Sequence, residues 1–344
     1  MMKAKYIGIR NWMLTGIAAV LFLTGCGSAT PANNASAPNN TPSQETAKAG
    51  DGNSTNPVTV QIDGRTVTFT EVPKRAVSLN QHVTEVMLAL GLEDKMAGTA
   101  YLDDSILPEY QDAYAKVPVL SAKYPSKEVL LAAEPDFVYA GWKSAFTEKA
   151  VGTIDGLEKL GIKPYLHQSS NMTGPEPEDV FADISNIGRI FRVEEKADEL
   201  IEKIKKEMKE ITDRIGEQKE PLRVFVYDNG EDQPFTAANN YMTTLIRLAG
   251  GKNVFDDIPK GWTTTSWEEV VARKADVIVI VDYGDKTVEQ KRNFLLSKKE
   301  LAELPAIQNK RLIVLPLSAA AEGVRAPLAL QTLAEGFYPE AFKQ

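Results

Sequence analysis

The single cysteine of this sequence stands where covalent chemistry can be expected. Cys26 closes the tetrapeptide LTGC, after a basic segment and a stretch of 11 mainly apolar residues. That stretch is too short to span a bilayer, which takes about 20 residues, and the three parts together are typical of a secretory signal. Residues 1–25 are therefore predicted to be a lipoprotein signal peptide, with Cys26 as the lipidated first residue of the mature chain. One thiol also excludes an intrachain disulfide and a zinc or iron–sulfur site built from cysteines.

A second chemical feature is an acidic residue at matching places in two segments. Residues 126–140 read SKEVLLAAEPDFVYA, and residues 266–280 read SWEEVVARKADVIVI. Each begins with serine, a good helix N-cap, and ends in an apolar run that predicts a strand. Glu128 and Glu268 both fall at the second helical position, and Glu269 at the third predicts a capping box. Either acid alone would only favour the helix terminus, but their equivalent placement indicates a shared function on the surface.

The segments that position these acids read as two α/β halves separated by helix. From residue 57, apolar and polar residues alternate around Asp63-Gly64, which predicts a β-hairpin. Strand-like and helix-like stretches then alternate, which predicts parallel sheets covered on both faces. After residue 194, apolar residues spaced three or four apart predict one amphipathic helix of 22 residues or so. The sequence thus predicts an N-terminal lobe over 57–175, a helical connector over 176–217 and a C-terminal lobe over 218–344.

Residues 26–56 differ from the rest in composition. After the cysteine they are almost entirely Ala, Asn, Pro, Ser, Thr and Gly, without a large apolar side chain. Such a segment cannot bury enough surface to offset its ordering entropy, so it is predicted to be a flexible tether outside the cytoplasmic membrane. The lipid on the cysteine would supply the membrane anchor. The whole chain carries a net charge of −8, which argues against a nucleic-acid partner.

The order and spacing of the signal, the tether, the two α/β halves, the connecting helix and the paired glutamates resemble those of the class III substrate-binding proteins of ABC importers. These proteins handle iron–siderophores, haem and cobalamin. The resemblance covers about residues 58–342 and lies in NQHVTEVMLALGL, YPSKEVLLAAEPDFVYA, YDNGEDQPFTAANN and SWEEVVARKADVIVI. It implies two α/β lobes joined by one long helix, a ligand held between them, and no enzymatic activity. It also implies that Glu128 and Glu268 dock with basic residues of a permease dimer. The permease and its ATPase are expected as separate chains, and this chain is expected to be monomeric.

The resemblance places the ligand against loops at the carboxyl ends of the strands. From those loops, Tyr101, Trp142, Tyr227 and Trp262 are predicted to form an aromatic wall. Arg325 is predicted to bind anionic oxygens, because a guanidinium suits carboxylate or catecholate groups. This mixture favours an iron–siderophore complex as the cargo, with no cofactor and no metal ion held directly by the protein. Haem or cobalamin would use the same lobes.

Three alternatives remain open at this point. An extracytoplasmic hydrolase is one, although G-x-S-x-G, Walker A, H-E-x-x-H and G-x-G-x-x-G motifs are absent. A receptor for free zinc or manganese is another, but His82 and His167 are the only histidines and fall in separate predicted loops. A site for ferric ion or citrate built from tyrosine and arginine is the third.

Overall fold

The computed structural model describes residues 56–343, so the predicted signal peptide, Cys26 and nearly all of the predicted tether lie outside the described residues. Within this range, no helix is long and apolar enough to cross a bilayer. The strands are β1 (Val58–Ile62), β2 (Arg65–Phe69), β3 (Ala76–Leu79), β4 (Met96–Ala100), β5 (Val119–Ser121), β6 (Phe137–Ala140), β7 (Lys163–Leu166), β8 (Leu222–Tyr227), β9 (Phe235–Ala237), β10 (Gly251–Asn253), β11 (Trp262–Thr264), β12 (Val277–Asp282) and β13 (Leu312–Pro316). The α-helices are α1 (Gln81–Ala89), α2 (Gln111–Tyr114), α3 (Lys127–Ala132), α4 (Ile154–Glu158), α5 (Pro177–Phe191), α6 (Glu194–Ile215), α7 (Tyr241–Leu248), α8 (Trp267–Ala272), α9 (Val288–Ser297), α10 (Pro305–Gln308), α11 (Leu317–Ala320) and α12 (Ala326–Phe337).

The N-terminal half forms a five-stranded parallel sheet in the order β5-β4-β3-β6-β7. It is preceded by the predicted hairpin, in which β1 and β2 pair antiparallel. Asp63 and Gly64 form its turn with φ angles of 49° and 74°. Both angles lie in the left-handed region, which aspartate and glycine tolerate better than most residues, so the hairpin prediction is confirmed.

The C-terminal half forms a four-stranded parallel sheet in the order β10-β8-β12-β13. Successive side chains of a strand point to opposite faces of its sheet. Along β12, Val277, Val279 and Val281 pack in the main hydrophobic core, whereas Ile278 and Ile280 pack in a second core that lies on the other face. All five side chains are fully buried, which confirms the prediction of a parallel sheet covered on both faces.

The connection between the two sheets contains two helices, not one. α6 has the predicted length of 22 residues and buries the face that its apolar spacing indicates. α5, of 15 residues, precedes it and packs against it. Between them Arg192 takes a left-handed conformation with φ of 58°, which ends α5 and lets the chain reverse. The prediction of one long connecting helix is confirmed by α6, and α5 is a further helix within the predicted connector over 176–217.

The two similar segments fold into the same unit in each half: a short helix, a turn and a central strand. Their turns contain Glu134 and Lys274 at equivalent places, with φ angles of 48° and 52°. The aspartate that both segments share has an equivalent function. Asp136 accepts hydrogen bonds from two backbone N–H groups just before β3, at 2.7 and 3.0 Å. Asp276 accepts one from the N–H of Arg223 in β8, at 3.0 Å. The similarity therefore reflects a repeated structural unit as well as the repeated glutamate.

Candidate functional site

A cavity of about 490 Å³ lies where loops from the two sheets meet. The N-terminal half contributes residues that follow β4 and β5, and the C-terminal half contributes residues that follow β12 and end β13. Open α/β sheets bind their ligands at the carboxyl ends of the strands, and small-molecule sites usually enclose about 300–1,000 Å³. The cavity meets both criteria. Its lining residues are Leu102, Asp103, Asp104, Lys123, Asp282, Tyr283, Gly284, Asp285, Pro316 and Ser318.

The charge of this lining is mainly negative. Asp103 and Asp104 line the cavity from one half, Asp282 and Asp285 line it from the other, and Lys123 is the one basic residue in the lining. Burial raises the pKa of Asp103, an effect that Lys123 opposes and the neighbouring Asp104 carboxylate reinforces. The predicted mixture of aromatic and cationic groups is thus not what lines this cavity.

Tyr101 lies beside the cavity, as its position after β4 predicted. Its φ angle of 59° is unusual for a tyrosine and turns the chain sharply at the strand end. Its ring packs edge-on against Tyr124 with the centroids 4.6 Å apart, and the ammonium of Lys123 lies 4.5 Å from its centroid. Hydrogen bonding to Tyr101, together with burial, raises the pKa of Tyr283 in the opposite half. Two phenols from different lobes therefore meet at the edge of the cavity.

Arg325 does not present a free guanidinium to the cavity. It is 6% exposed, and two of its nitrogens donate to the carboxylate oxygens of Glu85 in α1, at 2.7 and 2.6 Å. A third contact joins it to the hydroxyl of Ser318 at 3.3 Å, and Asp104 lies 3.7 Å away. A guanidinium with a bidentate carboxylate partner has little capacity left for a ligand anion. The predicted anion-binding residue Arg325 is therefore paired with Glu85 across the interface between the lobes, and the structure does not present it to the cavity.

The other predicted aromatic residues do not converge on the cavity. Tyr227, predicted as a cleft residue, is 1% exposed and stacks on Phe294 within the second hydrophobic core, away from the cavity lining. It occupies an inward position near the end of β8, and burial raises its pKa to about 12. Trp262 is half-buried and stacks on Phe235 of the neighbouring strand. Trp142 is half-buried in the loop after β6. Neither tryptophan is among the lining residues of the cavity.

A buried group of polar side chains, here called the interlobe polar cluster, lies between the lobes and consists of His82, His167, Ser170, Asp183 and Glu322. The two imidazole rings are 5.3 Å apart, and the Ser170 hydroxyl lies 3.1 Å from Nε2 of His82. Burial lowers the pKa of both histidines, so their rings are neutral at pH 7. Glu322 comes from the C-terminal lobe and is 4% exposed, and burial raises its pKa to about 7.

This cluster corrects the view that the two histidines occupy unrelated loops. His82 lies in the first turn of α1, and His167 directly follows β7. Parallel pairing of β3, β6 and β7 brings these strand ends together, which sequence spacing could not reveal. Among residues 56–343, no group of three or more His, Cys, Asp or Glu side chains is arranged to hold a metal ion.

Glu128 and Glu268 occupy equivalent exposed places at the starts of α3 and α8. The hydroxyl of Ser126 caps α3 and that of Ser266 caps α8, as predicted. Contacts with the capping serine and the backbone N–H of the first turn lower the pKa of both glutamates, so both are charged at neutral pH. Neither forms an ion pair within 4.0 Å in the described part of the chain, which leaves both carboxylates accessible.

The predicted capping box at α8 forms only in part. Ser266 accepts a hydrogen bond from the backbone N–H of Glu269 at 3.2 Å. The Glu269 side chain, however, accepts one from Arg273 at 2.8 Å, and does not return to the N-cap backbone. An ion pair one helical turn away has replaced the second half of the box.

Sequence reasoning missed most of the cavity lining. Asp282 ends β12, and Tyr283 and Asp285 come just after it; their position at the end of a strongly apolar run was the available signal. Lys291 in α9 fixes this loop, since its ammonium donates to the carbonyl oxygens of Val281 and Tyr283, at 2.7 Å each. A lysine that is 1% exposed could not be recognised as buried from its sequence context alone.

A second cavity of about 530 Å³ is slightly larger, but it lies beside α7 and β10, away from the strand ends that form the first. No aromatic residue lines it. Ligands of open α/β sheets bind at the carboxyl ends of the strands, and only the first of these two cavities is formed by such strand-end loops from both halves, so we assign the functional site to the first cavity.

Comparison with known proteins places this architecture in a family. A family model described as periplasmic binding protein matches residues 77–319. A curated relative is the uncharacterized ABC transporter substrate-binding lipoprotein YvrC of Bacillus subtilis (strain 168). The two proteins are 27% identical, over 97% of this chain and 98% of that protein. The vitamin B12-binding protein of Yersinia pestis (strain Pestoides F) is 24% identical over 61% of this chain and 70% of its own length.

Solved structures agree with that placement. A periplasmic binding protein from Veillonella parvula is 35% identical, with a TM-score of 0.76 over 82% of this chain and 98% of its own. A protein of an ABC-type Fe3+-hydroxamate transport system from Saccharomonospora viridis has the same fold, with a TM-score of 0.66 at 23% identity over 84% of this chain and 99% of its own.

Proposed function

This chain belongs to the periplasmic binding protein family and is the substrate-binding component of an ABC transporter, and we propose that its ligand is an iron–siderophore complex captured between the lobes. Family members of this kind are not enzymes; they deliver a bound solute to permease and ATPase components. The observation that supports a captured ligand is the cavity of about 490 Å³ formed jointly by strand-end loops of both lobes.

The contacts around the cavity suit a bulky, oxygen-rich chelate. Tyrosine rings at its edge offer apolar faces together with hydroxyl groups, as Tyr101, Tyr124 and Tyr283 do. The hydroxyl of Tyr124 lies 3.0 Å from the amide oxygen of Asn80 and 3.2 Å from the hydroxyl of Ser144, so its ring is held in place from two sides. Pre-positioned rings reduce the entropy lost when a ligand binds. Cobalamin is the second candidate ligand, because a curated relative is named for vitamin B12.

A titration of intrinsic tryptophan fluorescence tests this proposal. The expected result is saturable quenching by a ferric siderophore complex, with a dissociation constant below about 1 µM. Free tryptophan serves as the control for optical absorption by the iron complexes. Saturation by cyanocobalamin or haem alone would overturn the iron–siderophore ligand and leave the transport function standing.

We also propose that Glu128 and Glu268 dock the protein on its permease. Their exposure, their charge at neutral pH and the equivalent helix starts that present them support this function. Val129 and Leu131, beside the first glutamate, are 41% and 37% exposed, which adds an apolar surface to the same face. Surface carboxylates of this kind contribute more to orientation and encounter rate than to affinity.

Charge reversal of both glutamates to lysine is expected to lower ligand uptake by cells at least about tenfold, because like charges then face each other at the permease. Ligand affinity of the purified protein is expected to be unchanged. The matched control is Glu195→Lys with Glu199→Lys on the exposed face of α6, which alters the net charge equally. Equal losses of uptake in both double variants would argue against docking through the two helix starts.

The anchor at Cys26 is proposed on the signal-like start of the chain, and a relative that covers nearly the same length is named a lipoprotein. The anchor would hold the protein at the outer face of the cytoplasmic membrane. We expect the protein to be monomeric there. Mass spectrometry of the membrane fraction is expected to find the N-terminal peptide carrying a diacylglycerol on this cysteine, and an unmodified N-terminus would contradict the anchor.

A further inference from the structure

The cavity between the lobes has an electrostatic character that bears on which chelates it can accept. Its lining contains four aspartates and a single lysine. They come from both lobes, so a ligand between the lobes faces carboxylates on two sides. An excess of one sign of charge in a partly enclosed site repels ligands of the same sign more strongly than it would on an open surface.

The buried cations beneath the cavity offset only part of this charge. Arg325 is held by two hydrogen bonds to Glu85, a residue that does not line the cavity and is fully buried. Lys291 lies 3.8 Å from the carboxylate of Asp228, and its ammonium donates to two backbone carbonyl groups. Both cations have their main carboxylate partners inside the protein. Arg325 also lies 3.7 Å from Asp104, and the charge of Asp282 helps to raise the pKa of Lys291, so each offsets only part of the charge of the four lining aspartates.

Lys123, the lysine in the cavity lining, contacts an aromatic ring. The ammonium of Lys123 lies over the ring of Tyr101, 4.5 Å from its centroid. Beyond the cavity mouth, Lys286 is paired with Glu231. The groups that surround a bound ligand in residues 56–343 thus offer many acceptors and few cations.

Building on the proposed function, we propose that this receptor selects neutral or positively charged metal chelates and rejects polyanionic ones, with Asp103, Asp104, Asp282 and Asp285 as the specificity-determining residues and Glu85 as the residue that withholds Arg325 from the ligand. Ferric trihydroxamates are neutral or cationic, and cyanocobalamin is neutral. Ferric tris(catecholate) complexes are trianionic, ferric citrate complexes are anionic, and haem carries two propionates. The structure therefore divides the ligands of this transporter class by charge.

Equilibrium titrations with ferric complexes of different charge test this inference. The iron probes are a neutral cyclic trihydroxamate, an amine-bearing linear trihydroxamate that forms a monocation, a trianionic tris(catecholate) and ferric citrate. Cyanocobalamin and haem are titrated in parallel. The neutral and cationic complexes are expected to bind at least about 100-fold more tightly than the trianion at low salt. Salt screens charges, so the affinity for the trianion is expected to rise between about 0.01 and 1 M salt while that for the neutral complex stays nearly constant.

Two double variants separate local charge from net charge. The ratio of the affinity for the neutral complex to that for the trianion is the quantity compared. Asp282→Asn with Asp285→Asn is expected to lower this ratio by about tenfold, because two of the four lining carboxylates are removed. Glu195→Gln with Glu199→Gln changes the net charge by the same amount on the exposed face of α6 and is expected to leave this affinity ratio unchanged. Thermal unfolding confirms that both variants are folded.

The outcomes distinguish this inference from the proposed function. Tight binding of cyanocobalamin alone would overturn the iron–siderophore ligand, and it would also overturn selection by charge, because the neutral trihydroxamate would have been rejected. Binding of the tris(catecholate), ferric citrate or haem as tight as that of the neutral complexes would overturn selection by charge and leave the receptor function intact. Failure of every probe to bind would overturn both.

Discussion

Replacement of Glu85 by glutamine is expected to lower the free energy of unfolding by about 3 kcal/mol, because it removes the bidentate carboxylate partner of the buried Arg325 guanidinium and leaves only Asp104, 3.7 Å away. The carboxylate is fully buried and accepts two hydrogen bonds from that guanidinium, at 2.7 and 2.6 Å. It also accepts a bond from the backbone N–H of Leu107 at 3.0 Å. Chemical denaturation at neutral pH measures the change.

A double replacement tests the physical reason. Glu85→Leu with Arg325→Met removes both charges and keeps most of the side-chain volume, so it is expected to be much less destabilising than Glu85→Gln alone. The matched control is Lys209→Ala on α6, which breaks an exposed ion pair with Asp213 and is expected to cost less than about 1 kcal/mol. If the double replacement is as damaging as the single one, the uncompensated charge is not the cause.

The same ion pair joins α1 of the N-terminal lobe to the start of α12 in the C-terminal lobe. Ser318 and Asp104 extend the contact with a hydrogen bond of 3.1 Å across the interface. The lobes are therefore fixed to each other at the base of the cavity as well as through α5 and α6. In the Glu85 variant, hydrogen exchange is expected to increase first in the loops that contact Arg325, since these depend on the pair for their position.

The buried carboxyl of Glu322 is expected to make the stability of the protein depend on pH. Replacement of Glu322 by glutamine is expected to stabilise the protein relative to the parent by about 3 kcal/mol at pH 8 and by about 1 kcal/mol at pH 5. Burial raises the pKa of this carboxyl to about 7 in the folded protein, from an ordinary value of 4.5. The folded state therefore binds a proton that the unfolded state releases between those two values.

The sign of the effect follows from that difference in bound protons. A carboxyl whose pKa is raised by folding contributes its stability fully below the unfolded pKa, and the contribution is lost as the pH rises through 7. Glutamine carries no proton to lose, so the advantage of the variant should grow with pH. Denaturation series at pH 5, 6, 7 and 8 for both proteins measure it. A difference that is constant over this range would contradict the assignment to Glu322.

The two histidines near Glu322 act on the pH dependence of stability in the opposite direction and must be taken into account. His82 and His167 face it from α1 and from the end of β7, and burial lowers the pKa of each. Asp183 of α5 adds negative charge, and the hydroxyl of Tyr241 lies buried nearby in α7. Histidines whose pKa is lowered by folding make the protein lose stability as the pH falls through about 6.5. They are present in parent and variant alike, so the comparison between the two isolates the glutamate.

Residue patterns were enough to predict the architecture where the signal is local. The hairpin at Asp63-Gly64, the length and buried face of α6, and the serine caps that present Glu128 and Glu268 all depend on residues within about one or two helical turns of each other. Parallel sheets followed from the alternation of strands and helices.

The site was predicted less well, because its properties arise between segments far apart in the chain. Arg325 is a plausible anion-binding residue by type and position, and only the fold brings Glu85, 240 residues away, into contact with it. Tyr227 lies near a strand end, and which face of the sheet it occupies was decided by the packing of Trp267 and Phe294 against it.

The sequence by itself therefore determined the family, the two-lobed α/β plan and the exposed glutamates, since these depend on periodicity, caps and turn residues that act locally. Tertiary structure alone decided the chemistry between the lobes: which cations are neutralised by buried carboxylates, which aspartates line the cavity, and which titratable groups share the interlobe polar cluster. The physical reason is that charge pairing and desolvation depend on distance in space, and burial amplifies both once water is excluded.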